Sequence, residues 1–322
     1  VRFLIGIGEA ATLPNANKIV SFWMGDRARG VGNSMFLMGL GLGGAVTPLF
    51  IAWMMERWGW RSSFYACGAI GILVALAWHS YATSRPEEHP RVNAAELQLI
   101  RAHSERPGSG SKQTGPNRAP VPWRKLLSSP SAWALMLSYF CEGYPNYIFY
   151  TWFYIYLVQV RGLTVIQGGF WGAAPFLAST ILAPLGGWFS DHAVLRWGKR
   201  RGRQCAVWLG MILAGIMLTT GAHTRDNTTA ILLLAGAMGF NIFATATWWA
   251  TSIDLAPNFS GSLSAMMNTC GNIGGALSPI MTAYIATHFG WTVALDFAAV
   301  ITFFAAVMWL GVKADINIES SA

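Results

Sequence analysis

Charge is what this sequence has least of. Only 11% of its 322 residues are Asp, Glu, Lys or Arg, where a soluble domain averages about 25%. With 53% hydrophobic residues and a mean hydropathy of +0.40, the chain cannot cover a globule of this size with polar surface. Cysteine is also sparse. Cys67, Cys141, Cys205 and Cys270 stand far apart, each inside an apolar run and without a C-x-x-C partner. That excludes a disulfide framework and leaves packing as their role. The histidines form no H-E-x-x-H cluster and no serine sits in G-x-S-x-G, so neither a metal triad nor a hydrolase nucleophile is present. No metal and no cofactor are expected. Disorder is excluded by the 43 aromatic residues.

What is present is a series of apolar stretches, each long enough to cross a bilayer as a helix. Nine can be drawn, at about 1–24, 30–55, 62–83, 131–158, 166–190, 204–222, 229–255, 262–288 and 292–312. The basic residues that give the net charge of +8 fall in the breaks between them. Alternate breaks lie on one side of a membrane. Sixteen Lys and Arg residues fall on one side (27–29, 84–130, 191–203 and Lys313) against four on the other (Arg57, Arg61, Arg161 and Arg225). The bias reads as topology and not as nucleic-acid binding, and it places 84–130 and the C-terminus in the cytoplasm. Within 84–130, Asn93 and Glu96 form an N-x-x-E cap for a short surface helix, and 107–122 is a Gly/Pro/Ser-rich linker.

The chain also repeats itself. At an offset of 231, Gly30 falls on Gly261, the run Gly43 to Pro48 on Gly274 to Pro279, and Gly59-Trp60 on Gly290-Trp291. The second and third stretches therefore correspond to the eighth and ninth. Six stretches follow the linker and three precede it, so three further helices are expected before Val1. Two parallel six-helix repeats joined by a cytoplasmic loop is a transporter architecture. The expected fold is an all-α polytopic membrane protein with nine of twelve transmembrane helices. Its parts are 1–83 (helices four to six), the linker loop 84–130, and the C-terminal half 131–322.

Ionisable residues deep in apolar spans are functional candidates by default. Arg2 and Glu9 are seven apart, nearly two turns, and share one helix face. Arg2 stays cationic and can hold a carboxylate, whereas Glu9 can change charge. Glu142 is the second deep carboxylate, with cavity and packing roles both open. Asp254 and Asp296, near helix ends, are read as structural.

Several motifs resemble the anion:cation symporter family of the major facilitator superfamily. Arg2 and Glu9 ahead of Pro14 are similar to that family's fourth helix, and Arg27, Arg29 and Gly30 to the loop after it. Trp60, Arg61 and Phe64 resemble the next turn. Asn146-Tyr147 with Trp152-Phe153 resembles the seventh helix, although Tyr154 stands where many members have proline and Leu40 where some are polar. Gly187 and Asp191, then Gly198, Lys199, Arg200 and Arg201, look like the superfamily's signature loop. The resemblance implies a monomeric secondary transporter of the inner membrane, whose partners are a small anionic substrate, protons and membrane lipid, with no nucleic acid. It implies substrate contacts from Arg2, Asn146, Tyr147, Thr245, Thr247 and Asn268, proton coupling through Glu9 or Glu142, and a cytoplasmic gate braced by Asp191 and the cations after it. A sugar acid or other carboxylate is the expected cargo. The alternative is a polytopic membrane enzyme such as a lipid-processing transferase.

Overall fold

The computed structural model describes residues 2–102 and 121–319; the side chain of Arg2 and residues 107–120 of the expected linker lie outside them. Its long elements, all helical, are α1 (Arg2–Glu9), α2 (Thr12–Trp23), α3 (Arg29–Trp58), α4 (Trp60–Tyr81), α5 (Ala94–Ala102), α6 (Trp123–Ser128) and α7 (Pro130–Thr151). They continue as α8 (Phe153–Gln159), α9 (Val165–Gly172), α10 (Ala174–His223), α11 (Asn227–Leu255), α12 (Ser260–Phe289) and α13 (Trp291–Met308). Among the described residues there is no strand.

Local chemistry sets the boundaries. Pro14 has no N–H to offer the carbonyl of Ala10, and the first apolar stretch accordingly breaks into α1 and α2. Asn93 Oδ1 accepts from the Glu96 amide at 2.8 Å and opens α5, as the N-x-x-E pattern predicts. Thr164 and Gln167 close a reciprocal capping box on α9, and Asp226 accepts from the Thr229 amide at 2.7 Å to start α11. α10 holds two of the expected stretches and turns at Gly198, whose φ of +78° suits a residue without a Cβ.

The repeat is visible in the backbone. α3 and α12 both have 30 residues and both enclose a proline, Pro48 and Pro279. Arg29 to Ser260 and Gly59 to Gly290 are both steps of 231, and both glycines turn at positive φ, +77° and +91°.

Among the described residues, five segments are long and apolar enough to cross a membrane: Arg29–Trp58, Trp60–Tyr81, Val165–His223, Asn227–Leu255 and Trp291–Gly311. α7 and α12 fall short on composition because Ser138, Glu142, Asn146, Asn268 and Asn272 dilute them. Those polar residues face inward, as shown below. α7 and α10–α13 pack into one bundle whose centre holds Trp248, Trp249 and Trp309, all fully buried. α3 lies along α10 and α11, and α2 along α12. α4 contacts chiefly α3 and buries only Ser63. An apolar helix exposed in this way suits lipid. Three of the four cations on the basic-poor side have local partners. Arg57 and Arg61 lie over the Trp53 and Trp60 rings at 5.4 and 4.5 Å, and Arg161 donates to the Gly221 and Thr224 carbonyls at the end of α10.

Candidate functional site

Between the α1–α3 block and the bundle lies a cavity of about 360 Å³. α7 supplies more of its wall than any other helix, because Tyr139, Glu142, Asn146 and Tyr147 recur at helical spacing and share a face. Glu9 from α1, Leu40 from α3, Phe176 and Ser179 from α10, Thr245 from α11, and Asn268 and Asn272 from α12 line it too, with apolar residues of α2, α3 and α11 between them.

Glu142 is 2% exposed, yet its hydrogen bonds come from neutral groups. Asn146 Nδ2, one turn on, donates to Oε1 at 2.6 Å. The Thr245 hydroxyl stands 2.7 Å from the same oxygen and 2.9 Å from the Asn241 carbonyl, with a single proton to share between them. Across the cavity Tyr147 donates to Asn272 Oδ1 at 2.9 Å, and Asn272 Nδ2 donates to the Asn268 carbonyl at 2.9 Å. Tyr150 stacks on Phe176 with centroids 5.8 Å apart. Among the described residues lining the cavity, two are acidic and none is basic. Amides, hydroxyls and aromatic faces share the wall with the aliphatic side chains of Leu13, Leu37, Leu40, Met238 and Ile242. Such a wall can grip a ligand with several hydroxyls and offers a carboxylate room to gain or lose a proton.

A second buried polar cluster stands where α3, α10 and α11 meet. Asp191 accepts from the Gly30 and Val31 amides, both at 2.9 Å, and so caps the first turn of α3. Arg203, after the Gly198 turn, reaches Asp191 Oδ1 at 2.9 Å and Asp254 Oδ2 at 3.1 Å. The other Asp254 oxygen meets Arg29 at 2.8 Å. Two arginines and two aspartates thus join α3, both arms of α10 and the end of α11. Close backbone approach makes this possible: a Cβ on Gly30 would stand 2.6 Å from the Gly187 carbonyl, and one on Gly187 would meet the Gly30 carbonyl.

Comparison with known proteins identifies the lineage. Residues 1–279 match the sequence family described as Major Facilitator Superfamily. The chain belongs to the Major Facilitator Superfamily. This facilitator is 29% identical over 96% of its length to the protein named "Probable anion transporter 4, chloroplastic" from Oryza sativa subsp. japonica, of which it covers 51%. It is 30% identical over 90% of its length to a probable sulfoacetate transporter of Cupriavidus necator, covering 66% of that protein. To a probable galactarate/D-glucarate transporter of Escherichia coli it is 28% identical over 98% of its length, covering 71%. The chain spans about half the length of the rice relative it matches. The resemblance to anion:cation symporters agrees with these names, and the protein is a multi-pass, all-α membrane protein.

In this facilitator the cavity brings together Glu9, Glu142, Asn146, Tyr147, Thr245 and Asn268 of the expected site. Thr247 does not reach it. Two residues on from Thr245, it points about 200° around α11, is fully buried, and its hydroxyl meets no partner among the described residues. Arg2 lies in α1, its side chain outside the description. Of the signature loop, Asp191 and Gly187 join the buried cluster and Gly198 makes the turn, whereas Arg200 and Arg201 are exposed. The cation that Asp191 pairs with is Arg203. Sequence reasoning also missed Asn272, although it stands one turn after Asn268 on the same face.

Proposed function

We propose that this facilitator is a secondary transporter that moves a small organic anion, a sugar acid or similar carboxylate, together with protons. The observation that carries the proposal is the wall of the cavity, in which two carboxylates stand among amides, hydroxyls and aromatic rings. The names of its relatives speak for anion transport and against the membrane-enzyme alternative. A compact inorganic anion is best held by a cluster of cations, and the described wall offers none. A sugar acid presents hydroxyls that Asn146, Tyr147, Asn268 and Thr245 can match, and apolar C–H faces for the aromatic rings. Arg2, one helix face with Glu9, would meet the carboxylate.

Proton movement falls to Glu9 and Glu142. The Glu142 site serves either form: ionised, it takes the Thr245 proton; neutral, it leaves that proton to the Asn241 carbonyl. The α1–α4 block (1–83) and the 131–322 half would rock about the cavity, with 84–130 as the loop between them. The cluster of Asp191, Arg203, Asp254 and Arg29 would hold the cytoplasmic end closed, in the inner membrane and as a monomer. The test is uptake by proteoliposomes carrying the intact protein. Galactarate or a related sugar acid should accumulate when the inside is alkaline, and inorganic phosphate should not compete. Glu9→Gln should still exchange substrate across the membrane but fail to concentrate it. Wild-type accumulation in that variant would make Glu9 structural, and saturable phosphate uptake would overturn the cargo.

A further inference from the structure

The last described segment, 312–319, runs back across the end of the bundle that carries Asp254 instead of leaving it. Val312 is fully buried and Ile318 is 4% exposed, both packed in the tryptophan core. Gln204 donates to the Trp309 carbonyl at 3.0 Å, and the Lys313 amide donates to Ser131 Oγ at 3.3 Å, tying the start of the segment to α10 and α7. Further on, the Ile318 amide donates to the Leu255 carbonyl at 2.9 Å. Glu319 then receives the Asn258 and Phe259 amides on Oε1, at 2.8 and 3.2 Å, and Asn258 Nδ2 on Oε2 at 2.6 Å. Lys125 of α6 reaches the Glu319 carbonyl at 3.1 Å.

The positions it grips matter. Leu255 is the residue after Asp254, whose carboxylate joins Arg29 to Arg203. Asn258 and Phe259 are the residues before α12, the helix that carries Asn268 and Asn272 into the cavity. A carboxylate just ahead of a helix also faces the positive end of its dipole. The segment therefore pins the α11–α12 junction from outside while the arginine pairs pin it from inside.

We propose that residues 312–319 form a clasp, with Glu319 as its positioning residue, that sets Asp254 and the start of α12 and so holds this end of the cavity shut. The proposal rests on the alternating-access reading only for its consequence in transport. Its own readout needs no substrate.

The experiment places a cysteine at Asn268 in the intact protein, with the four native cysteines replaced, and follows its modification by a polar thiol reagent added from the side that bears the C-terminal segment. Glu319→Ala should speed modification by about tenfold, since charge-assisted hydrogen bonds are lost from the closed state alone. Glu319→Gln should fall between, because its amide oxygen can still accept one amide proton. Asn258→Ala added to Glu319→Ala should change little more, since both act on one contact. An unchanged rate in Glu319→Ala overturns the clasp, and so does lowered thermal stability without faster modification. Sugar-acid uptake is measured separately on the native sequence, so absence of uptake would strike the cargo and leave the clasp standing.

Discussion

Two buried acidic sites in this protein are satisfied in opposite ways. In the cavity, Glu142 receives hydrogen bonds from an amide and a hydroxyl, both neutral. In the second cluster, Asp191 and Asp254 are held by arginines and backbone amides, and Arg203 itself is fully buried. A buried carboxylate with neutral partners can take up a proton and leave no charge stranded. A carboxylate paired with a buried arginine has no such freedom, because neutralising it takes a counter-charge out of the interior. On the proposed reading, the first is the site that changes its charge and the second the one that keeps it.

The sharpest way to break the comparison is to remove Arg203. Arg203→Ala takes from Asp191 its cation among the described residues and leaves Asp254 with Arg29, and loss of one partner from a buried ion pair costs about 3–5 kcal/mol. Thermal unfolding of the detergent-purified protein should show a large drop, or the variant should fail to accumulate in the membrane. Near-native stability would mean that the network is dispensable.

The same substitution type at both sites gives a direct contrast. Asp254→Asn should destabilise by about 3 kcal/mol, because Arg29 and Arg203 lose their shared counter-ion. Glu142→Gln should cost under about 1 kcal/mol, because the Gln oxygen still accepts from Asn146 or Thr245. Paired denaturation measurements decide the matter: equal losses would erase the distinction between a fixed lock and a titrating site. In proteoliposomes Glu142→Gln should also flatten the pH dependence of uptake, whichever of the two cavity carboxylates carries more of the proton traffic.

How much of this was legible beforehand follows from range along the chain. The turn glycines Gly59 and Gly290 and the Asn93 cap are local or repeated signals, and each stands in the structure where the pattern put it. The shared cavity of Glu9 and Glu142 was within reach because charge inside an apolar span is conspicuous anywhere. Arg203 was not. It sat among five cations after Asp191, and nothing local separates the one that folds inward from those that stay exposed. Its second partner, Asp254, is 51 residues away and looked like an ordinary helix end. Thr247 failed for the opposite reason: resemblance attached it to Thr245, and the helical period that separates their faces was not applied.

That pair supplies the finest test of the comparison. Thr245 and Thr247 are both fully or nearly fully buried in α11, but among the described residues only the Thr245 hydroxyl has partners, the Glu142 carboxylate and the Asn241 carbonyl. Thr245→Val removes a donor from a buried carboxylate and should cost about 1–2 kcal/mol, besides weakening uptake. The Thr247 hydroxyl has paid for its desolvation without a bond among the described residues. Thr247→Val replaces it with a methyl group of nearly the same size, so stability should hold or rise by up to about 1 kcal/mol, and uptake should not change. The two variants, made alike and measured side by side by denaturation and by sugar-acid uptake, separate a residue of the cavity from its neighbour on the far face. Should Thr247→Val lose uptake while Thr245→Val keeps it, the cavity is not where substrate binds, and the proton role of Glu142 falls with it.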